Sequence, residues 1–176
     1  MEDIGEHQTD VKEDRKSKRR ENPSDRRCWD WMIVSGACHY ARDRISFTDY
    51  RPVERTIGDS KTYVAGVGSV ELNVLPGPGL PPRTILLHEV LHIPAALSNG
   101  FNFGKYLKAN GGETKFGPGV WTSTDGEGRP LWTSQPFAGL DKLLLAGNPQ
   151  GESFLGDGPK MLSMYFSGED LEGIMS

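Results

Sequence analysis

Short apolar runs separated by turn-forming residues dominate the sequence from Trp29 onward. They recur about every 8 to 12 residues, the spacing typical of an all-β sandwich or barrel. The clearest run, residues 61–74, alternates apolar with small or polar residues and is followed by Pro76–Pro82, a segment too rich in proline and glycine for a helix or a central strand. We therefore predict a loop there, closing a hairpin with the next apolar run, residues 84–93. The 22 glycines and 12 prolines disfavour a helix bundle.

The remaining elements follow from the same signals of periodicity and turn chemistry. They are a strand over residues 29–34, a bulge at Gly66 and Gly68, one short helix over 99–109, two or three strands over 119–147 with a turn at Asp125-Gly126, and a last strand over 162–166. The sequence thus predicts an all-β fold with one short helix.

Residues 1–27 differ in composition from the rest of the chain. They carry eight basic and eight acidic residues and almost no apolar ones, so we expect a disordered arm that cannot bury enough surface to order itself. Its basic cluster, Arg15–Arg20, is either a nuclear-import or phosphate-contacting patch, or simply a solvated run of charge. The net charge of −4 argues against a surface built as a whole to hold nucleic acid.

The first ten residues are acidic and polar and lack the pattern of a secretory signal. We therefore expect an intracellular protein, cytoplasmic or nuclear. No apolar run has the roughly 20 residues of a membrane span, so no membrane association is predicted. Cys28 and Cys38 are the two cysteines, and we expect free thiols because their spacing matches neither a disulfide framework nor a metal site.

A series of short motifs begins at residues 31–39, where an apolar strand runs into a tight turn, Trp-Met-Ile-Val-Ser-Gly-Ala-Cys-His. Further motifs follow in order: Phe47 and Tyr50 before Pro52, then Gly58-Asp59-Ser60, Gly66-Val67-Gly68-Ser69-Val70, Leu87-His88-Glu89-Val90-Leu91-His92-Ile93-Pro94, and Asn99. In this order the series resembles the protease domain of Ty1/copia retrotransposon polyproteins, over about residues 29–112. That resemblance implies a retropepsin-like β-barrel over residues 28–112. Beyond it we predict a β-rich C-terminal extension, residues 113–176, packed on the barrel.

The family's chemistry depends on one catalytic aspartate per chain, so that two chains must pair to bring two carboxylates together. In this sequence the matching position is Val34, which is followed by Ser35, Gly36 and Ala37 as in the family pattern. Valine can neither titrate nor form hydrogen bonds, so the resemblance implies the barrel without the aspartic protease activity. His39 stands at the family's histidine position, where we expect a structural role.

Other carboxylates leave an active aspartic endopeptidase open as an alternative. Asp30 lies on the same strand, about 13 Å from Val34 at 3.3 Å per residue, which is too far to replace it. Asp43 and Asp59 follow the turn in different local settings. A rearranged pair of these carboxylates is the form this alternative would take.

The resemblance also bears on partners. Pairing of two copies through Val34 would lack the charge repulsion of a carboxylate dyad, so a homodimer is one expectation. A peptide or protein partner bound by the inactive barrel is another, and a decayed fragment of a transposon with no partner is a third.

Residues His88-Glu89-Val90-Leu91-His92 match the zinc motif H-E-x-x-H. On a helix both imidazoles could share a zinc ion, with Glu89 as general base and Glu113 as a third ligand. The resemblance implies a strand instead, where residues four apart are separated by about 13 Å, too far to share one metal. A zinc metallopeptidase is therefore the second alternative, and the main prediction includes no cofactor.

Overall fold

The computed structural model describes residues 27–158 and 160–176. The predicted arm up to residue 26, with its basic cluster Arg15–Arg20, lies outside the described residues. Within the described part, ten strands form one sheet. They are β1 (Trp31–Val34), β2 (Tyr40–Ala41), β3 (Asp49–Ile57), β4 (Thr62–Val74), β5 (Arg83–His92), β6 (Asn99–Asn102), β7 (Glu113–Gly117), β8 (Val120–Thr124), β9 (Pro130–Phe137) and β10 (Leu140–Leu143).

The helical content of the described residues is small. Helix α1 spans Phe103–Asn110, helix α2 spans Gly168–Met175, and a single 3-10 turn spans Arg44–Ser46. The prediction of a mostly β protein is confirmed, whereas the prediction of one short helix is wrong because α2 is a second one. None of the described helices is long and apolar enough to cross a membrane.

Strand order places the earliest and latest strands side by side. The order is β3-β4-β5-β2-β6-β1-β10-β9-β8-β7, with β1 parallel to β6, β2 parallel to β5, and antiparallel pairs elsewhere. The sheet is not closed, since β3 and β7 form its edges. It does curl, because Ala146 N donates to Asn73 O at 2.9 Å and Leu75 N donates to Leu144 O at 3.0 Å.

Apolar side chains fill two clusters, one on each side of β1. The first cluster contains Trp31, Ala41, Phe47, Val70, Leu72, Val74, Ile85, Leu87, Val90, Phe101, Leu131, Trp132, Leu143 and Leu145. The second cluster contains Met32, Val34, Cys38, Tyr40, Ile57, Val64, Val67, Leu91, Ile93, Ala96, Leu162 and Ile174. Successive residues of a strand point to opposite faces, so a run that is apolar throughout, as in β1, is suited to burial on both.

The predicted hairpin is confirmed: β4 and β5 pair antiparallel, and Pro76–Pro82 lies in the loop between them. A register shift borders each of the glycines predicted to mark a bulge or kink, Gly66 on the β3 side and Gly68 on the β5 side, but the extra residue lies on the partner strand. Gly68 pairs with Val90 and Val70 with Leu87, so the extra residue lies on β5, where Glu89 has a φ of 53°. Gly66 and Gly68 are required instead by close contacts, since a Cβ atom at these positions would overlap the Tyr50 ring and the Asp49 carbonyl oxygen, respectively.

The predicted helix over 99–109 begins later than expected. Residues 99–102 form β6, because the Asn99 side chain is fully buried and bonds backbone groups on either side: Arg42 N donates to its Oδ1 at 2.8 Å, and its Nδ2 donates to Cys28 O at 2.9 Å. Helix α1 then begins after Asn102, whose Oδ1 caps it by accepting from Lys105 N at 3.1 Å. The three strands β8, β9 and β10 confirm the prediction for residues 119–147.

We expect Gly100→Ala to lower the free energy of unfolding by about 1–3 kcal/mol, because the added methyl group would overlap the Tyr40 ring in a packed core. Gly104→Ala in helix α1 is the matched control, since a Cβ atom there meets no atom closer than 3.6 Å. It should raise stability by about 0.5–1 kcal/mol through helix propensity. Urea unfolding of both variants measures the difference, and equal effects would contradict this packing.

Candidate functional site

The candidate site is the turn that follows β1. Val34 ends the strand with a side chain only 5% exposed, and it packs in the second cluster. Ser35 and Gly36 are exposed, and Gly36 has a φ of 97°, a conformation that favours glycine. Val34 is therefore a buried apolar side chain at the base of an exposed polar turn.

Asn102 fixes this turn to the start of helix α1. Its Nδ2 donates to Gly36 O at 2.9 Å, and its backbone N donates to His39 Nδ1 at 2.9 Å. Asn102 Oδ1 also accepts from Lys105 N in the first turn of α1. The Asn102 side chain therefore bonds both the turn and the helix. A single residue thus sets the spacing between β1, its turn and α1.

His39 acts in this structure as a buried neutral acceptor. Its Nδ1 receives the Asn102 amide hydrogen, so the ring proton must be on Nε2, and the ring stacks on Phe101 with centroids 5.9 Å apart. Burial, aided by the charge of Lys105, lowers the pKa of His39 to about 3. These contacts support the structural role expected for His39.

A later segment of the chain lies across the turn. We call residues 161–166 the strap. Ala37 N donates to Met164 O at 2.8 Å, Gly36 and Met164 form a parallel β-bridge, and Ser35 N donates to Ser163 Oγ at 3.0 Å. The predicted last strand over 162–166 is therefore wrong as a strand of the sheet, because its backbone pairing is limited to this bridge.

Side chains of the strap alternate between the second cluster and solvent. Leu162, Met164 and Phe166 pack on the cluster, whereas Met161 and Tyr165 are 81% and 65% exposed. Tyr40, whose side chain is buried, also donates from its hydroxyl group to Leu162 O at 2.6 Å. The strap is thus an extended peptide that presents every second side chain to the protein.

The β3–β4 hairpin covers the strap and helix α2 from the other side. The Phe166 ring lies so close to Gly58, in the hairpin loop, that a Cβ atom there would be 3.1 Å from it. Arg51 Nη2 donates to Ile174 O at 2.5 Å, and the Ile174 side chain is fully buried. The strap and α2 therefore occupy the space between the hairpin and the turn.

The three carboxylates considered as replacements for Val34, of which Asp43 and Asp59 were left open, have other contacts or settings. Asp30 is buried with its Oδ1 atom 3.7 Å from Lys142 Nζ. Asp43 accepts from Cys28 N at 2.8 Å and lies 3.3 Å from the Arg42 guanidinium group. Asp59 is exposed in the loop of the β3–β4 hairpin. None of these described contacts involves the turn at Ser35.

The H-E-x-x-H residues lie on β5, not on a helix. His88 Nδ1 is 3.3 Å from Ser69 Oγ, and Glu89 forms an exposed ion pair with Lys105 at 3.2 Å. Both ring nitrogens of His92 are engaged, Nδ1 by the Tyr50 hydroxyl group at 2.7 Å and Nε2 by Arg42 O at 3.2 Å. Within the described residues, no group of three or more His, Cys, Asp or Glu side chains is arranged to hold a metal ion.

Cys28 and Cys38 are free thiols, and both are buried. Burial raises the pKa of Cys28 to about 11 and that of Cys38 to about 12. At neutral pH both remain protonated, and a protonated thiol is neither a nucleophile nor a metal ligand.

The strap and helix α2 are the parts of the site that sequence reasoning missed. A signal for the helix exists: Ser167 caps α2 by accepting from Asp170 N at 3.1 Å, and Glu169 and Asp170 place negative charge in its first turn. The resemblance itself ended near residue 112, so it gave no reason to connect this region with the turn.

No family model, curated protein or solved structure matches this chain.

The burial of His39 predicts a pH dependence of stability. Its folded pKa of about 3 lies below the ordinary 6.5, so the unfolded chain takes up a proton that the folded chain does not. Stability from this group is complete above pH 6.5 and falls as the pH drops toward 3. In His39→Asn the Asn Oδ1 atom replaces the acceptor without titrating, so the loss of unfolding free energy between neutral and mildly acid pH should be smaller than in wild type.

Urea unfolding at several pH values measures this difference. His88→Asn, which removes an exposed histidine, is the matched control and should retain the wild-type profile. Identical profiles for wild type and His39→Asn would contradict the buried neutral acceptor.

The strand geometry of the H-E-x-x-H residues predicts that zinc does not stabilise the protein. A ligand that binds the folded state raises its melting temperature with concentration. We expect no such rise on titration with zinc, and no difference between wild type and His92→Gln in their response. A zinc-dependent rise that His92→Gln abolishes would support the metallopeptidase alternative.

Proposed function

We propose that this protein is a retrotransposon-derived, aspartic-protease-like module that has no peptidase activity and acts as a binding or assembly module. One observation carries the proposal: at the position of the family's catalytic aspartate, Val34 is buried in an apolar cluster and the chain's own strap lies across the turn that follows it. The remaining polar part of the motif, Ser35 and Gly36, is used to hold this strap.

Aspartic protease chemistry requires two carboxylates that share a proton, one activating a water molecule and the other protonating the substrate carbonyl group. Val34 offers no proton acceptor. The other members of the second cluster, such as Met32 and Leu162, are apolar, apart from the protonated thiol of Cys38 and the protonated hydroxyl group of Tyr40, which donates to Leu162 O. A water molecule at this position would have no base to activate it, which supports an inactive module.

The retropepsin-like barrel is part of the same proposal. It is supported by the curl of the sheet, in which residues 73–75 bond residues 144–146, and by the two parallel pairs at its centre. These pairs bring the start of the chain's β-rich region, β1 and β2, against β6 and β5, so that the turn after β1 is held from both sides.

A homodimer remains part of the proposal under one condition. The strap packs in the same cluster as Val34, so a second copy that pairs through Val34 must first displace residues 161–166. A dimer formed with the strap in place must use another surface. The oligomeric state measured by analytical ultracentrifugation of variants with and without a displaced strap separates these two arrangements.

We expect the native protein to leave a diverse peptide mixture uncut at acid and at neutral pH, as read by mass spectrometry. The physical reason is the absence of a titratable group at Val34. Cleavage by the native protein would contradict the proposal, and inhibition by a pepstatin-type inhibitor or by a chelator would then identify an aspartic or a zinc peptidase.

A pair of variants provides the matched control. Val34→Asp and Val34→Asn have the same shape and differ in charge, and each is combined with Met164→Ser to loosen the strap. Cleavage at acid pH by the Asp variant alone would show that the carboxylate is what the native turn lacks.

A further inference from the structure

The strap contacts the turn in the way that an extended peptide adds to the edge of a β structure. Recognition of this kind takes its affinity from main-chain hydrogen bonds and its specificity from alternate side chains. Here the main-chain bond runs from Ala37 N to Met164 O, and the alternate side chains are Leu162, Met164 and Phe166. The contacts of the strap therefore define what an occupant of the site needs: an extended backbone and apolar side chains at alternate positions.

The strap has less backbone pairing with its neighbours than the strands of the sheet have. β1 pairs with β6 over four residues, whereas the described backbone pairing between strap and turn is the single bridge at Met164. Residues 149–160, which lead to the strap, contain no helix or strand among those described. Segments with few backbone bonds and half-exposed side chains open at low free-energy cost while the rest of a fold stays intact.

We propose that the strap is an intramolecular ligand of the Ser35–Gly36 turn, exchangeable for an extended segment of another protein that carries apolar side chains at three alternate positions. This inference rests on the proposed function and specifies its partner. The partner in trans takes the place of Leu162, Met164 and Phe166 against the second cluster. While the strap is closed, the site is unavailable to such a partner.

The chemistry of the site defines the partner further. The cluster that receives the three side chains is apolar, so a charged residue at any of these positions would lose hydration without gaining a counter-ion. Between them, Ser163 Oγ lies 3.2 Å from Ser35 Oγ and accepts from Ser35 N, which fits a small hydroxyl side chain. The outward positions, occupied here by Met161 and Tyr165, are open to solvent, although the Tyr165 hydroxyl group lies 3.4 Å from Ser35 Oγ. This contact is exposed, so we expect the outward positions to select a partner only weakly.

The test begins with opening the strap in the full chain. Leu162→Ser combined with Met164→Ser removes two inward contacts, and Met161→Ser combined with Tyr165→Ser makes the same change on the outward face. Hydrogen exchange reports the outcome at the Ala37 amide, which bonds Met164. We expect the inward variant to lose protection there and the outward variant to keep it. The amides of Leu91 and Asn99, which bond His39 O and Asp30 O, should stay protected in both.

Binding in trans is then measured with a fluorescent peptide of residues 160–167, KMLSMYFS, and with a control peptide carrying Ser at its three inward positions. Occupation of the site by a closed strap reduces the apparent affinity by the fraction of molecules that are open. We expect the inward variant to bind the peptide at least about tenfold more tightly than wild type or the outward variant. The control peptide should bind none of them.

Gly36→Ala opens the strap from the other side, because its Cβ atom would overlap Met164 O while the apolar cluster stays unchanged. Gly119→Ala is its matched control, since Gly119 has a φ of 77° and no atom within 4 Å of an added Cβ. We expect Gly36→Ala to lose protection at the Ala37 amide without gaining peptide affinity, because its Cβ atom would also overlap the matching carbonyl oxygen of a bound peptide. Loss of sheet protection in both strap-opening variants would overturn the proposal, because the strap would then be inseparable from the fold.

Equal peptide binding by wild type and by the inward variant, with the sheet of that variant intact, would also overturn the inference. That result would leave the proposed function standing, provided the native protein cuts no peptide. Peptide cleavage by the native protein would instead overturn the proposed function, whatever the binding data show. The two failures are therefore distinguishable.

Discussion

Burial of β1 on both faces is the constraint on which the rest of this structure depends. Trp31 packs in one apolar cluster and Met32 in the other, so other segments of the chain must cover β1 on both faces. On one side that cover comes from β8–β10 and their neighbours. On the other it comes from the β3–β4 hairpin, the strap and α2. The second set surrounds Val34, and this is why the turn that follows is held in place although Ser35 and Gly36 stay exposed.

Much of the sheet could be predicted from local sequence alone. Alternation in residues 61–74 identified β4, the Pro76–Pro82 segment identified its loop, and the apolar residues at 84–93 identified β5. Each of these signals lies within the element that it predicts. When alternate side chains of a strand are buried, apolar and polar residues alternate in the sequence, so the strand can be identified locally. The polar part of the turn at Ser35 and Gly36 was found in the same way.

The remaining features depend on contacts between residues far apart in the chain. Asn99 and Asn102 belong to a strand end and a helix cap because their amides bond Cys28, Arg42 and Gly36, which no local pattern encodes. The glycines on β4 marked the position of the irregularity, but the extra residue, Glu89, lies on the paired strand β5, which the sequence of β4 cannot show. The strap was predicted as a strand, and its side chains do alternate between the second cluster and solvent. Its backbone, however, pairs with the turn at Gly36 and not with a strand of the sheet.

The segment that joins the end of the sheet to the strap, residues 147–158 and 160 among those described, makes the strap a tethered competitor. A tethered segment meets its site at an effective concentration set by the length of the connection, on the order of millimolar for a short flexible one. A free partner displaces the strap only when its concentration exceeds the strap's effective concentration multiplied by the ratio of the partner's dissociation constant to the strap's. Lengthening this connection would lower the threshold gradually, because the cost of closing a loop grows only with the logarithm of its length. The length of one irregular segment thus sets how sensitive the turn is to molecules around it.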